Sequence, residues 1–342
     1  MAFKRVLPLD EARKEAKAVL GVVAKGGDPL KSRREDEAAA DNTLKSISEE
    51  YLKREAPRLR SIDQRRSILE RLIYSKFGSR QIDTIRRGEI ARLLDRIEDE
   101  RGPVMADQAL AVLRRLFTWH SSRSDDFRSP IVRGMARTSP KARARQRVLS
   151  DDELRAVWRA AEASLSPFGH LVRYILLTAT RRNEAAHMRR EEVSGADWLL
   201  PGSRHKSKRD FLLPLSSAAL DALARVPVMG KHKDRGFVFT TDGERPLAGF
   251  SKFKREFDKT SGATGWTLHD LRRTARSLMS RAGVDPDHAE RTLGHVIPGI
   301  RGTYDLHEFR DEKRRALESL AGQIDRIVNP RDNVIALHGS SA

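Results

Sequence analysis

T-L-H-D-L-R-R-T, residues 267–274, is followed by L-G-H at 293–295 and by a tyrosine at 304. The reading of this chain turns on that stretch. A His-x-x-Arg pair on a helix, here His269 and Arg272, is common and carries little alone. His295 beside Gly294 reads equally well as a helix C-terminal cap. Tyr304 is less ordinary. Of the four tyrosines, Tyr51, Tyr74 and Tyr174 sit within apolar helical stripes, whereas Tyr304 lies in I-R-G-T-Y-D-L-H among Gly, Thr and Asp.

Working outward, the chain turns helical on both sides of a mixed segment. Ser150-Asp151-Asp152-Glu153 is a capping box, and Leu154, Val157, Trp158 and Ala161 give the helix it opens a buried stripe. A second helix is predicted from Pro167 through Thr178. Trp198–Pro201 and Phe211–Pro214 read as two short strands around a basic turn, Ser216–Leu223 as a helix, and Phe237–Phe239 as a further strand. Helices return from Phe250 onward, ending in one with Leu317, Leu320, Ile324 and Ile327 along a face. Thr43 to Gly134 reads as all-helical. Its four stripes centre on Tyr51 and Leu52, on Ile68, Leu69, Leu72 and Ile73, on Ile90, Leu93, Leu94 and Ile97, and on Leu110, Leu113, Leu116 and Phe117. An Ala-, Lys- and Glu-rich helix is expected over 9–26, closed by Gly26-Gly27.

Between these parts runs M-A-R-T-S-P-K-A-R-A-R-Q-R-V-L, an extended connector with Arg137, Lys141, Arg143, Arg145 and Arg147 and no acid. It is readable as a solvated linker or as a strand that tracks a phosphate backbone. The whole chain carries 66 Lys+Arg against 48 Asp+Glu, a net charge of +18, which favours a polyanionic partner through counterion release. Cysteine is absent, so thiolate metal sites, disulfides and cysteine nucleophiles are excluded. No apolar run reaches the length of a membrane span, and the first residues lack a signal-peptide core, so a cytosolic protein is expected.

T-A-T-R-R-N-E (178–184), H-K-S-K (205–208), H-D-L-R-R-T, L-G-H and Tyr304, taken together in this order and spacing, resemble the tyrosine recombinases of the phage-integrase family. The tail Y-D-L-H-E-F-R-D-E-K-R-R-A-L-E-S-L is similar to the integrases of genomic islands and P4-like prophages. The resemblance implies a fold that is mainly α with a small β-sheet. A helical core-binding (SAM-like) domain over 34–134 and a mixed α+β catalytic domain over 150–328 would be joined by the basic linker 135–149. Residues 1–33 would be the closing helix of an arm-site-binding domain whose preceding sheet is not found here, and 329–342 a C-terminal tail. The family glycine in the turn before Arg181 is replaced by Ala179, which should leave the arginine in place.

The resemblance also assigns roles. Tyr304 would attack a DNA phosphodiester, forming a 3′-phosphotyrosine and releasing a 5′-hydroxyl. A phenol of ordinary pKa about 10 requires a base or a cation nearby, and His269 is the candidate base. Arg181 and Arg272 would grip the non-bridging oxygens with permanently charged forks, and His295 would add a hydrogen bond. Counting back from Pro214 gives the leaving-group proton to Lys206 rather than Lys208. Arg181 is distinguished from Arg182 by Glu184, three residues on, placed to anchor the turn from behind. No cofactor or metal is expected. The implied partners are double-stranded DNA bearing attachment sites, a homotetramer spanning two such sites, and accessory DNA-bending proteins, in a bacterial cytoplasm at the nucleoid. A C-terminal segment docked on a neighbouring protomer would link the active sites. A type IB topoisomerase-like relaxation activity and a non-catalytic DNA-binding remnant are the alternatives.

Overall fold

The computed structural model describes residues 8–24, 28, 42–139, 144–229, 234–295 and 307–330. The chain divides into two compact units, 1–144 and 145–342, with the division inside the basic connector.

In the first unit, α1 (Leu9–Ala24) forms as the alanine-rich sequence predicts, with Leu9, Val19, Leu20 and Val23 exposed; residues 25–27 lie outside the described set. α2 (Leu44–Glu55) is capped by Thr43, whose hydroxyl accepts from the Ser46 amide at 3.2 Å. α3 (Ile62–Ile68) passes through one π-turn (Leu69–Ile73) into α4 (Tyr74–Phe77). α5 (Arg87–Arg101) and α6 (Pro103–Ser121) pack against each other. Gly102 takes φ +82° between them, and Pro103 opens α6 where its missing N–H costs nothing. All four predicted stripes converge on one core, with Ala106 and Ala109 giving α6 a flat face for close approach. Tyr51 and Trp119 meet edge to face, their ring centroids 5.6 Å apart.

The second unit is built around α8. α7 (Asp151–Ala163) starts at the expected capping box: Ser150 Oγ accepts from the Glu153 amide at 3.2 Å, and Glu153 accepts from the Ser150 amide at 2.9 Å. α8 (Pro167–Thr178) is apolar nearly all round and is buried on every side, as a central helix must be. A three-stranded antiparallel sheet follows, β1 (Val193–Ser194), β2 (Asp197–Leu200) and β3 (Phe211–Pro214), with Trp198 opposite Leu213 and Leu200 opposite Phe211. The predicted strand at Phe237–Phe239 does not form. Phe237 makes a single bridge to Arg189, while Val238 and Phe239 are drawn into the core, where Phe239 packs on Tyr174. Three residues between Gly236 and a turn nucleated by Thr240 and Asp242 are too few to extend the ladder.

α10 (Ser217–Ala224), α11 (Phe250–Ser261), α12 (Leu268–Arg281) and α13 (Pro286–Thr292) surround α8 and the sheet, after α9 (Arg182–Ala186), and α14 (Arg310–Val328) closes the unit. Leu317, Leu320, Ile324 and Ile327 are buried against this same unit. Lys313 donates to the Leu212 carbonyl at 2.7 Å and Arg310 pairs with Asp197 at 2.7 Å, fixing α14 to the sheet. The docking of a C-terminal segment on a neighbour therefore does not fall to the apolar stripe of this helix. Residues 331–342 of the tail lie outside the described set.

Candidate active site

α8 ends at Ala179 in the left-handed region, φ 52° and ψ 25°, with its amide donating to the Ile175 carbonyl at 2.9 Å. That reversal turns the chain sharply, so that Arg181 emerges as the residue before α9. Glu184 holds it from two directions, accepting from the Arg181 backbone amide at 3.1 Å and from Nη1 at 2.7 Å. Glu184 is buried and Arg181 only partly so.

α12 is anchored at its first turn. Asp270, fully buried at the third helical position, accepts from the Thr267 amide at 2.8 Å, from the Thr267 hydroxyl at 2.9 Å and from Arg145 Nε at 2.7 Å. Arg145 also donates to the Gly265 carbonyl. His269 stands exposed beside this anchor. Removal of part of its ring from water, helped by the charges of Arg273, Arg272 and Arg181, holds its pKa below the usual histidine value.

Arg272, one turn on, is 4% exposed and clasped from three sides. Nη1 donates to the Ala179 carbonyl at 2.6 Å, and Nη2 donates to the Leu293 carbonyl at 2.8 Å and lies 3.1 Å from His295 Nε2. Burial, then the charge of Arg181, lowers its pKa to about 10, with Glu184 and Glu290 opposing. It stays charged at neutral pH. The guanidinium thus ties the turn after α8 to the turn after α13.

The latter turn has the cap geometry read for Gly294 and His295. Gly294 adopts φ +65°, and the His295 amide donates to the Glu290 carbonyl at 3.1 Å, a left-handed helix ending. The His295 side chain then faces Arg272 on one edge and Glu290 on the other.

The hairpin between β2 and β3 is pinned by the Gly202 amide donating to Asp210 at 2.7 Å. His205, which sequence reasoning did not single out, is its buried centre. It stacks on Phe211 at 4.9 Å, and its Nε2 lies 2.9 Å from where a β-carbon on Gly294 would stand. Only glycine at 294 lets hairpin and L-G-H turn meet. Partial loss of water lowers the His205 pKa; Glu184 and the Arg209 carbonyl oppose this, and Arg181 and Arg272 reinforce it. Of the basic residues at the tip, Arg204 is taken by Glu192 and the His187 carbonyl, while Lys206 is exposed with no ion-pair partner among the described residues.

The structure therefore gathers Arg181, Arg272, His269 and His295 around one spot, and Arg181 is close enough to perturb both Arg272 and His269. Tyr304 lies outside the described residues, as do Lys141 and Arg143 of the connector. The remaining connector arginines have carboxylate partners. Arg137 pairs with Asp95 and, at 3.1 Å, Glu98; Arg145 pairs with Asp270; Arg147 pairs with Glu153. Besides His205, sequence reasoning passed over Asp270 and Glu290. Asp270 was discoverable, because Thr267 and an acid three residues on form a helix-start signature. Glu290 had no such signal.

This arrangement can bind a tetrahedral anion with two guanidinium groups and an imidazole. Residues 147–308 match the phage integrase family. That stretch is a phage integrase domain, and the curated relatives it has are prophage integrases. The chain is 25% identical to the prophage integrase IntZ of Escherichia coli (strain K12) over 96% of this chain and 83% of that protein. Identity to the prophage integrase IntA of the same organism is 26%, over 91% and 78% of the two chains. Its fold is similar to a lambda integrase (75–356) dimer bound to a core site, with TM-score 0.60, 19% identity, and coverage of 74% of this chain and 95% of that one. It is also similar to the Tn1549 transposon integrase in complex with circular intermediate DNA, with TM-score 0.57, 14% identity, and coverage of 81% and 99%. Among the described residues no helix is long and apolar enough to cross a membrane.

Proposed function

We propose that this chain is a site-specific DNA recombinase that cleaves and rejoins strands through Tyr304. The single observation that supports this most strongly is the buried, charged Arg272 fork fixed beside His295 and near Arg181. A permanently charged donor set preorganised in a low-dielectric pocket stabilises the charge that gathers on a phosphorane's non-bridging oxygens, and it does so without reorganising. The Tyr304 oxygen forms a bond to phosphorus as the bond to the 5′-oxygen breaks. His269, held neutral, takes the phenolic proton, and Lys206 protonates the departing 5′-oxygen. Because one ester replaces another, a second 5′-hydroxyl reverses the step with no outside energy source and no metal in the balance.

The partner is duplex DNA, in keeping with the +18 charge and with the DNA complexes of the lambda and Tn1549 integrases. The lambda integrase is also known as a tetramer bound to a Holliday junction, and four copies of this chain on two sites is the assembly we propose for strand exchange. Accessory DNA-bending proteins and a place at the bacterial nucleoid belong to the same proposal, as does a prophage or other mobile element as the DNA moved. In the connector, Lys141 and Arg143 are assigned to the phosphate backbone.

The test is a suicide duplex nicked beside candidate core sites, incubated with wild type and with Tyr304→Phe. A 3′-linked covalent complex that survives EDTA and is absent in the variant is expected. Binding without an adduct in the wild type would favour a DNA-binding remnant instead, and relaxation of supercoils without recombination a topoisomerase.

A further inference from the structure

Glu290, on α13, has each carboxylate oxygen engaged by a different partner. Oε1 accepts from Arg276 Nε at 2.8 Å, and Oε2 is hydrogen-bonded to His295 Nδ1. Partial burial pushes this carboxyl up, but the bonds from Arg276 and His295 outweigh that and keep it below the ordinary carboxylate range. It is therefore an anion at neutral pH. On the far edge of the same imidazole, Nε2 lies 3.1 Å from Arg272 Nη2.

These two neighbours determine where the ring proton sits. A carboxylate can only accept, so Nδ1 carries the hydrogen. A guanidinium can only donate, so Nε2 presents its lone pair. The ring held this way is neutral and has nothing to donate to a phosphate. A phosphate oxygen that displaces Arg272 from Nε2 meets lone pair against lone pair. Changing tautomer would only move that conflict to Nδ1, which would then face Glu290 with no hydrogen. Adding a proton at Nε2 keeps the Nδ1–H bond to Glu290 and creates a donor toward the phosphate.

We propose that Glu290 is a positioning residue and counter-ion that lets His295 take up one proton from solvent as the scissile phosphate arrives, so that His295 engages the phosphate as an imidazolium. This rests on the reading of His295 as a phosphate-binding group. The proton reaches Nε2 from water at the half-exposed ring once Arg272 has been displaced from it, and returns to solvent when the phosphate leaves. The charges facing the ring make the counter-ion necessary. Arg272 lies against the ring, Arg276 shares its carboxylate partner, Arg181 is close enough to perturb Arg272, and His205 packs on the adjoining Gly294, so each of these groups, where charged, opposes another positive charge. Against them stand Glu290, the more distant Glu184 and the incoming phosphate.

The experiment compares full-length wild type, Glu290→Gln and Arg276→Gln in adduct formation on the nicked duplex across pH, alongside side-chain nitrogen NMR of His295 in the Tyr304→Phe background. Glu290→Gln should bind DNA as wild type does, yet lose about tenfold in adduct rate at neutral pH and close that gap to wild type as pH is lowered, since the charged fraction of the ring grows about tenfold per pH unit. Arg276→Gln breaks the same strut but leaves the anion, so its pH profile should match wild type. Loss of the profile in both variants would mean a merely structural strut and would overturn the proposal. In the NMR arm, His295 should be Nδ1-protonated alone without DNA and protonated at both nitrogens with it. A ring that stays neutral on DNA overturns the proposal, whether or not any adduct forms. Absence of an adduct in the wild type would instead strike the Tyr304 reading, and the NMR arm would still decide the role of Glu290.

Discussion

Replacing Arg145 by alanine probes the anchor beneath the catalytic helix. The substitution removes a charge-assisted hydrogen bond to fully buried Asp270 and a second bond to the Gly265 carbonyl. Bonds to a charged group contribute about 1.5–3 kcal/mol. Arg145 is 47% exposed, so solvent screening reduces this to roughly 1–2 kcal/mol. For a unit of this size that corresponds to a fall in Tm of about 3–6 °C by calorimetry on the full chain. The pH dependence follows from Asp270. Burial raises its pKa, but the Thr267 amide, the Thr267 hydroxyl and Arg145 together bring it below the ordinary value. A carboxylate depressed on folding contributes stability above its unfolded pKa, near 3.9, and loses that contribution as pH falls through its folded value. The gap between wild type and Arg145→Ala should therefore be full at neutral pH and narrow as pH falls below about 4. If Arg145 serves this anchor rather than a phosphate, the salt dependence of DNA binding stays unchanged, where loss of one phosphate contact would reduce the slope by about 0.9. A variant that melts within about 1 °C of wild type, or a gap that widens in acid, would refute the reasoning.

Four further outcomes are expected. Ala179→Val, a β-branched side chain at φ 52° in a fully buried turn, should cost about 2–4 kcal/mol in chemical denaturation, whereas Ala179→Gly should stay within about 1 kcal/mol of wild type. Gly294→Ala places a β-carbon 2.9 Å from His205 Nε2 at a φ of +65°, and the displaced turn should slow adduct formation on the order of 10²-fold with DNA affinity retained. His269 is held below the usual histidine pKa by its loss of water and then by Arg273 and Arg272, so its contribution as a base should be flat around neutrality and fall only below about pH 6.5; His269→Gln should abolish that acid limb. Arg181→Ala should lose cleavage of the nicked duplex while keeping most binding in a gel-shift assay, because it is one part of the phosphate contact.

What could be read from the sequence was what local chemistry decides. Ser150 with Glu153 located the start of α7, and Pro167 and Thr178 bounded α8, because caps and prolines act within a few residues. Phe211–Pro214 was readable because a strand between a basic turn and a proline has few alternatives. Val193–Ser194 was missed: two residues carry no alternation, and their pairing depends on Gly195 turning the chain at φ +58°. The motif pointed to Arg272, but its three partners come from positions 179, 293 and 295, and nothing local announces the first. Distance in sequence also hid the acids that hold the connector arginines, since Asp95 and Asp270 lie far from Arg137 and Arg145. A run of basic residues without a local acid reads as free charge until the fold supplies one.

The seating of α14 has a consequence for how the protein is made. The core of the helical unit is complete once Met135 has emerged, whereas the core of the second unit stays open along α7, α12 and the sheet until Leu317 to Val328 arrive. A nascent or prematurely stopped chain can thus fold its first half while its second remains a sticky, unfinished shell. A product stopped before Leu317 would leave that core open, and exposed apolar surface of this kind favours aggregation and proteolysis over a working site.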